Sequence, residues 1–145
     1  MSWQETTEQE RNRIVFEEEL DEFLPRRVLD FHVHVCNRGV VPEGETYSCA
    51  GHPLEQYDLD ELKQDLDAVY PERETLAVCF GMPHLGYDQK RNDDYLAEVC
   101  DKKRFFPFRL FDPVNDTAET LRTEVEGGRF LGLKPYLNYV RKEDP

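Results

Sequence analysis

Four short segments rich in β-branched and aromatic residues, separated by stretches with helical spacing, constrain this 145-residue chain more than any other feature. They are 28–35 (VLDFHVHV), 75–82 (TLAVCFGM), 105–111 (FFPFRLF) and 130–136 (FLGLKPY), and the helical stretches are 58–69, 92–101 and 116–126. Alternation of this kind predicts βαβ units with right-handed crossovers, hence an α/β fold whose parallel strands run in the order 1-2-3-4. Asp58 and Asp116 are expected to cap their helices, with Glu61 and Glu119 three residues on as in a capping box, and Gly127-Gly128 to end the third helix. A further helix is expected over 6–24, with Ile14, Val15, Phe16, Leu20, Phe23 and Leu24 as its apolar stripe and Pro25 as its stop. The whole reads as one domain over 1–145, a helical segment (1–24) followed by the strand–helix units (25–145).

Residues 36–57, with Gly39, Pro42, Gly44, Gly51 and Pro53, read as a long irregular loop leaving the C-terminal end of the first strand. Loops of that length in compact domains are usually functional, and parallel α/β folds place their sites at that end. A net charge of −13 argues against nucleic acid, because phosphate binding needs concentrated positive charge. No apolar run approaches a membrane span and the N-terminus is polar and acidic, so a cytoplasmic protein is expected. Cys36, Cys49, Cys79 and Cys100 form no CxxC pair and are expected as reduced thiols, Cys79 and Cys100 as small core residues.

Chemistry enters with Asp30-Phe31-His32-Val33-His34 in the first strand. Strand side chains alternate, so Asp30, His32, His34 and Cys36 are expected on one face and Leu29, Phe31, Val33 and Val35 on the other. Two imidazoles two residues apart at a strand end can converge on one divalent metal, zinc foremost, with Asp30 placed to orient a ligand ring. A lone histidine there would be read as a core residue satisfied by its neighbours; a pair on an otherwise apolar strand favours the metal.

The run Pro25-Arg-Arg-Val-Leu-Asp-Phe-His-Val-His resembles the first-strand signature of the amidohydrolase superfamily. Asn92-Asp-Asp-Tyr-Leu-Ala-Glu-Val-Cys, Arg104-Phe-Phe-Pro-Phe with Asp112-Pro113, and Phe130-Leu-Gly-Leu-Lys-Pro are similar, in order, to later segments of its amidohydrolase-related branch. The resemblance covers about residues 25–138 and implies the first four βα units of a (β/α)₈ TIM barrel. It further implies a metal-activated water attacking a carbonyl, or a metal-assisted decarboxylation, on a small-molecule substrate. His32 and His34 match the family's first two ligands; its other ligands come from strands five, six and eight, so the catalytic set is expected to be incomplete within residues 1–145.

Lys134 shares the parity of Phe130, Gly132 and Tyr136 on the fourth strand. Some members of the resembled family use a fourth-strand lysine at the metal, which makes it the catalytic candidate; a snorkelling surface lysine is the plainer account. His84, after the second strand, and Arg109, on the third, are weaker substrate-binding candidates, with an exposed loop histidine and a salt-bridged arginine as the plainer accounts. If the sheet is half a barrel, Val28, Ala77, Phe106 and Phe108 or their neighbours meet water on its inner side. Its two outer edges then lack partners, and association of copies through those edges is expected. A catalytically incomplete half-barrel serving as a metal-binding or interaction module is the alternative, and a nuclease-type metal barrel a third, disfavoured by the acidity.

Overall fold

The computed structural model describes residues 10–45, 47–49, 52–84, 86–113 and 115–136, with only the backbone described for 47–49 and 52–54. Strand β1 (Arg27–His34) is followed by a small hairpin, β2 (Tyr47–Cys49) and β3 (His52–Leu54). Then come α1 (Leu59–Val69), β4 (Glu74–Phe80), α2 (Gln89–Val99), β5 (Phe105–Phe111), α3 (Ala118–Glu126) and β6 (Gly132–Pro135). Strands β1, β4, β5 and β6 form one parallel sheet in that order, which is the expected α/β topology.

One face of the sheet is closed by helices. Val33, Val35, Ala77, Cys79 and Phe105 pack against Leu59, Leu62 and Leu66 of α1 and Leu96 and Cys100 at α2. Fully burying such a side chain contributes about 1.5–3 kcal/mol, so this layer carries much of the fold's stability. The opposite face is concave. Phe31 meets Phe108 edge-on at 6.1 Å, and Lys134 Nζ lies 3.4 Å from His32 Nδ1. In a flat sheet β1 and β6 would stand three strand spacings, about 14 Å, apart. These contacts therefore require a strongly curled sheet, a half-barrel. Ala77 lies on the helix side, fully buried, and not on the inner face where it was expected; Leu29 and Phe31, 49% and 64% exposed, are the apolar residues of β1 that meet water.

Local differences from the expected elements have identifiable causes. The 36–57 loop carries the β2–β3 hairpin and is closed at its base by an antiparallel bridge between Cys36 and Tyr57. Asp58 caps α1 with the full capping box, as expected. Helix α2 begins before residue 92, because Asp88 accepts the Arg91 N–H and supplies a cap one turn earlier. Thr117, not Asp116, caps α3, its hydroxyl accepting the Thr120 N–H; Asp116 is drawn instead to Arg109. The N-terminal segment is α-helical over 10–15 and continues as a π-helix, Phe16–Leu20; residues 6–9 of the expected helix lie outside the described residues. Within its stripe Phe16 is buried, beneath the Arg73 guanidinium, while Ile14, Val15, Leu20 and Phe23 stay exposed. Among the described residues no helix is long and apolar enough to cross a membrane.

Candidate metal centre

The site begins with an irregularity in β1. Asp30 pairs with Ala77, but Val33 pairs with Cys79, so β1 advances three residues where β4 advances two. This is a β-bulge, a device that re-aims side chains. Its result is that Phe31 and His32 are both exposed, and Asp30 no longer shares a face with the imidazoles in simple alternation. Asp30 Oδ1 accepts the His32 backbone N–H at 3.0 Å, so it pins the bulge instead of orienting a ring as expected.

Beyond the bulge, His32 and His34 converge. Their Nε2 atoms are 3.3 Å apart, and the Tyr136 hydroxyl lies 3.0 Å from the first and 2.9 Å from the second. Phe80 is the floor, its ring 5.1 and 4.8 Å from the two imidazoles. Lys134, carried by β6 beside Tyr136, sits with Nζ 4.9 Å above the Phe80 ring and 5.2 Å from the Tyr136 ring, a cation–π arrangement.

Hydrogen-bond chemistry fixes the direction of this network. The Gly81 carbonyl, 2.8 Å from His34 Nδ1, can only accept, so Nδ1 carries the proton and the His34 Nε2 lone pair faces the cluster. The Lys134 ammonium can only donate, so His32 Nδ1 accepts and its Nε2–H points at Tyr136. The phenol then donates to His34 Nε2. Burial, aided by the nearby Lys134 ammonium and opposed by the Gly81 bond, holds the His34 imidazole below its ordinary range and hence neutral. Burial likewise raises the Tyr136 hydroxyl, so the phenol keeps its proton in the free chain.

The segment leaving β1 is anchored beside Gly81. Asn92, 1% exposed, donates from Nδ2 to the Val35 carbonyl at 2.7 Å and accepts the Asn37 N–H at 2.9 Å. A Cβ at position 81 would fall 2.9 Å from Asn92 Nδ2, so only glycine admits this clamp. Asn92 and Tyr136 are the residues that sequence reasoning did not single out as part of a site. The parity of Tyr136 with Lys134 points to it; nothing in the sequence marks Asn92 as buried.

The weaker candidates stand apart from this cluster. His84 is exposed, stacked on Tyr87 at 4.5 Å and accepting the Gly86 N–H at Nδ1, so it is engaged within its own loop. Arg109 lies against Asp93, Asp116 and Glu124 at 2.8, 2.9 and 3.0 Å, and its guanidinium is occupied by carboxylates. Cys36 is buried among Val40 and Tyr87, and burial pushes its thiol up to about 11, which makes it a packing residue.

A tetrahedral zinc bonded at about 2.0–2.1 Å sets two ligand nitrogens about 3.4 Å apart. The observed 3.3 Å between the Nε2 atoms fits one edge of such a site, and the Gly81-bound His34 tautomer is the one a metal ligand needs. Among the described residues, no group of three or more His, Cys, Asp or Glu side chains is placed to hold a metal. No family model, no curated protein and no solved structure matches the chain.

Proposed function

We propose that this chain is the first half of a metal-dependent amidohydrolase-type (β/α)₈ barrel, in which His32 and His34 hold a divalent ion, zinc foremost. The substrate is a small carbonyl or carboxylate compound, hydrolysed or decarboxylated in the cytoplasm. The observation that carries this reading is the convergence of two Nε2 atoms to 3.3 Å at the C-terminal end of a parallel strand, one of them oriented through a backbone carbonyl. Parallel α/β folds bind their ligands at that end. A bound ion of this kind supplies an activated water or polarises a carbonyl oxygen. In this reading the His34 Nδ1–H bond to Gly81 holds that ligand's tautomer. Lys134 places a positive charge at the mouth, where it attracts a substrate carboxylate. The buried free thiols Cys36, Cys79 and Cys100 suit a reducing compartment.

A second reading, a metal-binding or interaction module without catalysis, is favoured by the absence of a third His, Cys, Asp or Glu ligand among the described residues. Zinc binding separates both readings from a purely structural histidine pair. In equilibrium dialysis the chain should retain zinc, and His32→Ala/His34→Ala should weaken retention by at least about tenfold, or 1.4 kcal/mol. Equal retention by the two proteins sinks the metal reading. Turnover that depends on added zinc distinguishes enzyme from module.

A further inference from the structure

We infer that Tyr136 is a third ligand of this site, binding the metal through its phenolate oxygen. The inference rests on the His32–His34 reading and extends it to a donor set of two imidazole nitrogens and one phenolate. Three atoms that can each become a metal donor, His32 Nε2, His34 Nε2 and Tyr136 Oη, form a triangle with edges of 3.3, 3.0 and 2.9 Å. Each edge is slightly shorter than the ligand–ligand separation of a tetrahedral zinc, about 3.4 Å, so one ion can touch all three after a small expansion.

Two imidazoles alone hold a metal loosely, whereas three protein ligands are what open zinc sites use. The phenol is the only further donor that touches both Nε2 atoms among the described contacts. Lys134 Nζ, 5.2 Å from the Tyr136 ring centre, adds a positive charge beside the cluster. Position matters as well. Tyr136 follows β6, at the far edge of the sheet from β1, so this ligand set ties the two outer strands together across the concave face. The chemistry is a ligand exchange without redox: the phenol O–H breaks, its proton passes to solvent buffer, and an oxygen–metal bond replaces one bond from the ion to water. His32 shifts to its other tautomer, the proton moving from Nε2 to Nδ1 and the Nε2 lone pair turning to the metal, and the Lys134 ammonium moves off Nδ1.

The test uses the 145-residue chain with zinc and with copper(II), whose bond to a phenolate produces a visible charge-transfer band. The parent should show this band on adding copper. Tyr136→Phe should lose it and bind zinc at least tenfold more weakly. Tyr136→His should recover zinc affinity while still lacking the band, which guards against a mere folding defect in the phenylalanine variant. If Tyr136→Phe binds zinc as tightly as the parent while His32→Ala/His34→Ala does not bind, Tyr136 is no ligand, and the two-histidine reading stands. If the parent binds neither metal, the metal reading itself fails.

Discussion

Asp93 carries a carboxylate into the space between α2 and β5, where one guanidinium, Arg109, faces it together with Asp116 and Glu124. Arg129 approaches the same cluster through Glu124 at 3.8 Å and pairs with Asp94. Burial opposes the Arg109 charge, yet Asp93, Asp116 and Glu124 together hold its pKa above the ordinary value. For Asp93 the balance goes the other way. Desolvation outweighs the attraction of Arg109, Glu124 and Asp116 add repulsion, and the carboxyl is pushed up to about 7. A carboxyl raised above its unfolded value of 3.8 binds its proton more tightly in the folded chain, so stability falls as pH rises from about 4 to about 7. Asp93→Asn removes that dependence. Between pH 5 and pH 8 the stability of the parent relative to this variant should drop by about 2–3 kcal/mol, read from urea unfolding. A difference that does not change with pH would mean that Asp93 stays ionised throughout. Arg109 shows how far a residue can be read from sequence. Its charge and strand are evident, but the carboxylates that occupy it come from α2, the β5–α3 turn and α3, and only the fold brings them together.

At the level of elements, Asn92 joins helix α2 to the segment leaving β1, satisfying the Val35 carbonyl and the Asn37 N–H. Removing that amide leaves two backbone groups without partners, each costing about 1–3 kcal/mol when buried. Asn92→Ala should therefore destabilise the chain by about 2–4 kcal/mol in urea unfolding, and a loss under 0.5 kcal/mol would refute the clamp. The four strands and three helices were legible because their periodicities, two and 3.6, extend over seven or more residues in most of them. The β2–β3 hairpin was not, since three-residue strands carry too short a pattern to register. Nor was the bulge. Leu29 to His34 alternates in the sequence as a regular strand would, and only the pairing with β4 reveals the extra residue. The convergence of His32 and His34 was legible from their spacing; the place of Tyr136 beside them depends on the curl of the whole sheet. Asp116 and Thr117 illustrate the limits at helix ends, where adjacent residues can both cap and the choice falls to whichever side chain has no stronger partner.

For the whole molecule, the described sheet has β1 and β6 as its outer strands, each without a neighbouring strand on one side among the described residues. Such edges template association. The inner face adds Leu29 and Phe31, and the N-terminal segment adds Phe23, which is 82% exposed. A charge of −13 opposes self-association, and salt screens that opposition. Light scattering on the 145-residue chain should show a mass above that of the monomer, rising with protein concentration and with salt. Phe31→Lys should shift the distribution toward monomer. A monodisperse monomer at high concentration and high salt would show that the edges and the inner face are satisfied within one copy.

The contact between His32 and Tyr136 joins residues 104 positions apart. Closing a loop of that length is entropically unfavourable until nearly every intervening strand and helix has docked, so this contact belongs to the final stage of folding. A form of the chain in which β1 and β6 have not both docked lacks the cluster. A ligand bound there recognises only the completed sheet, and its binding energy is added to the stability of the entire fold, about 2.7 kcal/mol at a free concentration one hundred times its dissociation constant.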